Sequence, residues 1–159
     1  MNKTFNTLFV TMFGLGKIPK IPGTFGSLAT VIVLYLFFHV LNISSNIILI
    51  GLITIFIYSF SAVSAHIKDN EDKDPKEVII DEFIGQSIPI YLYEIAHGSA
   101  KDTNEAVLFY LYIFILFRYF DIKKPFPVSF FDKKFKNSFG VIMDDIVAGL
   151  YVVLTLIIF

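Results

Sequence analysis

The chain has no cysteine and no tryptophan. Without cysteine it can form no disulfide, offer no thiolate nucleophile and build no zinc–sulfur centre, and its redox compartment leaves no trace. Charge is scarce too. Only 17% of the 159 residues are Asp, Glu, Lys or Arg, against about 25% in an average soluble domain. A net charge of −1 excludes the basic surface that nucleic-acid binding requires. None of the three histidines, His39, His66 and His97, falls beside the charged motifs described below. That speaks against a phosphohistidine mechanism or a histidine-rich metal centre. Residues 1–17 carry a lysine and an apolar run, but no small-residue cleavage site follows, so the stretch is not read as a signal peptide.

What the chain has in abundance is apolar surface. It is 55% hydrophobic, with 19 Phe and 8 Tyr, and its mean hydropathy is +0.70. Its length fits one domain, 1–159. Five apolar segments stand out, at residues 28–41, 46–65, 83–96, 106–120 and 146–159. Only 46–65 reaches the roughly 20 residues a spanning helix needs. Their length and lack of period-two alternation favour helices over strands. The expected fold is therefore all-α: a compact helical bundle, multi-pass in a membrane, with four or five apolar helices. A soluble helical domain with an apolar core is the rival. If all five segments cross, the connections alternate sides, and only Lys101 among the 13 basic residues leaves the side that holds the rest. The positive-inside rule then puts that side in the cytoplasm.

The charged motifs fall on the same side. Asp81-Glu82 and Asp144-Asp145 each place two acids at the expected start of an apolar helix. Helix dipoles alone favour acids there. Two such pairs brought together would repel, however, and a hard divalent ion such as Mg²⁺ relieves that with oxygen ligands. Gly85 and Gly149 follow Asp81 and Asp145 by four residues, on the same helical face, where a missing side chain admits a neighbouring backbone. In the stretch 117–127, Arg118, Asp121 and Pro125 share a helical stripe with Lys124 close by. Arg forks onto phosphate oxygens and Lys adds a point charge; the blander reading pairs Arg118 with Asp121 and leaves the lysines to anionic headgroups. Residues 19–27 hold Pro, Gly, Thr24 and Ser27 before the first apolar helix, which Ser27 can cap. Free N–H groups there suit phosphate, although a plain helix start explains the spacing alone better. The mixed-charge run 68–77 lacks the Gly and Glu of a calcium loop and reads as a solvated connector.

Four blocks together, PGTFGS (22–27), DEFIG (81–85), FRYFDIKKPFP (117–127) and MDDIVAG (143–149), resemble the phosphatidylglycerophosphatase A family in order and approximate spacing. The resemblance covers residues 13–150. It implies a Mg²⁺-dependent enzyme of the bacterial inner membrane that removes the terminal phosphate of phosphatidylglycerophosphate, leaving phosphatidylglycerol and inorganic phosphate. Motif matching carries over Asp81, Glu82, Arg118, Asp121, Lys124, Asp144 and Asp145 as site residues, with Thr24 and Ser27 as further phosphate contacts. The working expectation is Mg²⁺ held among Asp81, Glu82, Asp121, Asp144 and Asp145, with Arg118 and Lys124 on the phosphoryl oxygens. An acid, Asp81, Asp121 or Asp145, then positions water or forms an aspartyl-phosphate. A phosphatase of another lipid phosphate and a non-enzymatic cation or headgroup transporter are the alternatives.

Overall fold

The computed structural model describes residues 3–68, 75–97 and 103–158. Among these there are seven α-helices and no strand: α1 Lys3–Val10, α2 Pro22–Tyr35, α3 Ser45–Ile67, α4 Ile80–His97, α5 Thr103–Lys123, α6 Val128–Lys134 and α7 Ser138–Ile158. A π-helical stretch, Leu36–Val40, prolongs α2. The calcium-loop acids Asp69, Glu71 and Asp74, and the lysines Lys73 and Lys101, lie outside the described residues.

Three helices are long and apolar enough to cross a bilayer: Pro22–Val40, Ser45–Ile67 and Ser138–Ile158. Two of these come from segments that look too short in sequence. The first starts at Pro22, not at Ser27, because proline suits the opening helical position and its fixed φ needs no donor there. Ser27 is thus a buried residue of the second turn and caps nothing. The last starts at Ser138, capped by Asn137, whose Oδ1 accepts from the Gly140 N–H at 3.1 Å. Asp144 and Asp145 therefore lie well inside α7, where a helix-end dipole no longer explains them. Helix α4 ends at His97 and α5 begins at Thr103, each close to the bounds of its apolar segment.

Helix α3 is apolar on all sides, yet Ile47, Ile50, Ile53 and Ile57 are 47–65% exposed. A helix of that kind belongs in a core or in lipid, and here no protein covers it. The membrane reading is the one that leaves this surface satisfied.

Two apolar clusters hold the bundle. Val31, Leu34, Ile90, Tyr110, Ile113, Phe117 and Val152 join α2, α4, α5 and α7. Val10, Ala62, Val63, Val78, Ile84 and Ile142 join α1, α3, α4 and α7. The α4–α7 contact is the tightest. A Cβ on Gly85 would meet the Asp145 carbonyl oxygen at 2.5 Å, and one on Gly149 would collide with the Gly85 carbonyl. Pro89, inside α4, has no N–H for that Gly85 carbonyl, which rests instead against Gly149. Small residues spaced by four let membrane helices approach this closely. Chain direction follows: α2, α4 and α7 run away from one end of the bundle, and α3 and α5 return to it.

Candidate active site

At that end lies a pocket of about 340 Å³. Its lining includes Lys20, Gly23, Thr24, Lys76, Asp81, Glu82, Arg118, Asp121, Lys124, Asp144 and Asp145. The two acidic pairs, more than sixty residues apart in sequence, meet here. Carboxylate oxygens of Asp81, Glu82 and Asp145 lie within 4.8 Å of one another. Asp81 and Asp145 are buried at 7% and 4% exposure. The α4–α7 glycine contact causes this meeting: Gly85 lies level with Asp145, and Asp81 is one turn nearer the pocket mouth.

The other two acids each hold a cation. Asp121 Oδ2 accepts from Arg118 Nη1 at 2.6 Å, one helical turn away on α5. Asp144 Oδ2 accepts from Lys124 Nζ at 2.7 Å, and Asp132 Oδ1 accepts from the same ammonium at 2.7 Å. Pro125 stops α5, and Lys124 closes it in the left-handed region at φ 44°, a usual helix-ending conformation. Burial of the Lys124 ammonium opposes its charge, but Asp144 and Asp132 outweigh that and hold its pKa above the ordinary lysine value. The cation is therefore permanent at neutral pH.

Helix α2 presents its first turn to the acids. A Cβ on Gly23 would strike the Glu82 Oε1 and lie 3.3 Å from Arg118 Nη1. Glycine here lets Glu82 and Arg118 close on the α2 start without their side chains having to move aside. Thr24 lines the pocket beside it. Ser27 does not; it is fully buried one turn below and accepts a long 3.4 Å hydrogen bond from Arg118 Nη1. None of the three histidines lines the pocket. His39 contacts Glu94 at 3.0 Å and His66 contacts Glu77 at 2.8 Å.

Three members of the site have no local signature. Lys20 and Lys76 look like ordinary connector lysines, and Asp132 sits among lysines in FFDKKFK. Their positions become informative only once α6 folds back on α7 and the segment 75–79 docks beside α1, where the Ile79 N–H donates to the Val10 carbonyl at 3.0 Å.

The donor set suits a hard divalent ion. It offers oxygen ligands alone, closely spaced and mostly buried, and the Glu82 Oε2 is buried with no hydrogen-bond partner. The lining holds five acids and four basic groups. One divalent ion changes that formal balance from −1 to +1, the sign a phosphate needs. A matching sequence profile now decides the family: Phosphatidylglycerophosphatase A, over residues 8–159. The chain belongs to the phosphatidylglycerophosphatase A family.

Phosphatidylglycerophosphatase A of Haemophilus influenzae is 33% identical over 147 residues, spanning 92% of this chain and 83% of its own length. Phosphatidylglycerophosphatase A of Escherichia coli is 33% identical over 146 residues, spanning 89% and 76%. A relative from Bacteroides thetaiotaomicron, provisionally named a phosphatidylinositol-3-phosphatase, is 30% identical over 145 residues, spanning 91% and 86%. No solved structure matches. As a member of the phosphatidylglycerophosphatase A family the chain is a phosphoric monoester hydrolase. The matched residues 8–159 include every acid and cation described above.

Proposed function

We propose that this chain is a Mg²⁺-dependent lipid phosphatase of the bacterial inner membrane. On this reading it removes the terminal phosphate of phosphatidylglycerophosphate at the cytoplasmic face. The observation that carries the reading is the convergence of two acidic pairs and four cations in one pocket at one end of an apolar bundle, in a chain of this family. Asp81, Glu82 and Asp145 would hold the ion. When bound, it supplies charge for the phosphoryl oxygens and a polarised water.

The chain's own groups do the rest. Arg118, held by Asp121, and Lys124, held by Asp132 and Asp144, neutralise the phosphoryl oxygens as positioned, fully charged donors. Lys20 and Lys76 add charge at the rim, and the α2 start contributes free N–H groups near Thr24. Glu82 would give one carboxylate oxygen to the ion, and its other oxygen orients the attacking water and accepts its proton. The new P–O bond forms opposite the glycerol oxygen, whose bond to phosphorus breaks; that oxygen takes a proton from bulk water and Glu82 gives its own back to bulk water, so one water is consumed overall. The diacyl tails stay in the bilayer, so only the headgroup must enter. The lysine distribution supports a cytoplasmic position for the pocket end.

Phosphate release from phosphatidylglycerophosphate in mixed micelles tests this directly. Release should stop with EDTA and return with Mg²⁺. A second reading, hydrolysis of another lipid phosphate monoester, is favoured by one observation: the relative provisionally named a phosphatidylinositol-3-phosphatase. The pocket's charged groups address the phosphate and not the alcohol. Parallel rates on phosphatidylglycerophosphate, phosphatidate and phosphatidylinositol 3-phosphate separate the two.

A further inference from the structure

Helix α6 has two unlike sides. Inward, Val128 is buried and Asp132 grips Lys124 at 2.7 Å. Outward, Phe126 is 76% and Phe130 39% exposed, and Lys133, Lys134 and Lys136 are exposed beside them. Phe130 and Phe131 both pack against Phe135, which packs against Phe139. The Lys134 ammonium stands 4.7 Å from the Phe130 ring centre. The one acid of the segment, Asp132, is turned toward the site, so the outward side is aromatic and purely cationic. Aromatic rings with lysines at the edge of an apolar bundle match the polar–apolar boundary of a bilayer, and the sign of the charge selects anionic headgroups.

We infer that residues 126–136 form a foot that seats on an anionic phospholipid surface, and that Asp132 couples this seating to the position of Lys124. The inference rests on the lipid-phosphatase reading. Asp132 adjoins Lys133 in sequence, so a shift of α6 on the surface moves the carboxylate that holds Lys124 against Asp144. The Phe126 carbonyl, which accepts from Tyr151 Oη at 2.6 Å, anchors the foot's near end to α7. Asp132 acts through Lys124 and is a positioning residue.

The test uses the full chain in vesicles of phosphatidylcholine, with and without about 30 mol% phosphatidylserine, an anionic lipid that is not the product. With no native tryptophan, Phe130→Trp gives a single reporter. Brominated acyl chains should quench it, and more strongly in the anionic vesicles. Phosphate release should rise at least about threefold on the anionic surface. The combined Lys133→Gln, Lys134→Gln, Lys136→Gln variant should lose that increment and keep the phosphatidylcholine rate. Asp132→Asn should be slow on both surfaces with unchanged quenching, and Asp132→Glu should recover part of the rate. An unquenched reporter, or a lysine variant that retains the full increment, overturns the foot. A normal increment in Asp132→Asn overturns the coupling. Absence of phosphate release from any lipid would instead defeat the parent reading, and the quenching arm would still judge the surface.

Discussion

Gly85→Ala should cripple the enzyme without unfolding it. The added Cβ would sit 2.5 Å from the Asp145 carbonyl oxygen and 2.8 Å from its carbonyl carbon, where ordinary contact begins at 3.4 Å. Both are backbone atoms and cannot swing aside, so α4 and α7 must part by about 1 Å to restore normal contact. That opening separates Asp81 and Glu82 from Asp145, whose oxygens now lie within 4.8 Å. A Mg²⁺ ion demands near-octahedral oxygens at about 2.0–2.1 Å, so its affinity should fall. A displacement of this size costs about 100-fold in rate. Stability should change far less: overpacking costs about 1–3 kcal/mol, and replacing a mid-helix glycine with alanine returns about 1 kcal/mol. The measurements are phosphate release across a Mg²⁺ titration and thermal unfolding in the same detergent. Gly51→Ala is the control, since nothing lies within 4 Å of a Cβ there, and it should match wild type. Wild-type turnover and Mg²⁺ dependence in Gly85→Ala would refute the claim that this helix contact builds the site.

Other outcomes follow from the same geometry. Asp145→Asn should lower turnover by several orders of magnitude while the protein stays folded in the membrane; wild-type rates would remove Asp145 from the site. Lys124→Gln should reduce kcat more than it raises KM, because the ammonium is aimed at charge that grows in the transition state; a pure KM effect would contradict that role. Glu94→Gln should lower the unfolding temperature by taking the negative charge from a buried contact to His39, yet leave kcat unchanged. Glu94 lies about 18 Å along α4 from Glu82, twelve residues at 1.5 Å each. A large kcat loss would point to a link between the two ends.

Much of this site is legible in sequence because the acids carry their own glycines. Asp81 with Gly85, and Asp145 with Gly149, each state that one helical face is charged at the top and bare one turn below. The errors have a common physical origin. Apolar runs end at charges, so the segment 146–159 begins after Asp145, whereas the helix begins at Ser138 because Asn137 caps it. In the same way Ser27 looks like a cap, although the helix already starts at Pro22, a residue suited to the opening position. Asp132 is the harder case. Its neighbours in sequence are lysines that suggest solvent, and only the fold of α6 onto α7 reveals Lys124 as its partner. Helix α1 is equally silent. It is tied down by Asn6, whose Nδ2 donates to the Ala62 carbonyl at 2.9 Å, a pairing no local pattern announces.

The direction of α4 and α7 matters as much as their closeness. They run parallel, so their acids gather at the same end; an antiparallel pair joined through the same glycines would leave Asp81 and Asp145 at opposite ends of the bundle. Parallel neighbours need an intervening helix that runs back along the bundle, and α5 supplies it. Its return brings Arg118, Asp121 and then Lys124 back to the acids it left behind at α4. The return of α5 between Asp81 and Asp145 is thus what makes cations available to the cluster. Four carboxylates concentrated by glycine packing alone would repel. With α5 between them in the chain, two of the site's five acids are already neutralised by Arg118 and Lys124, and three are left for an ion.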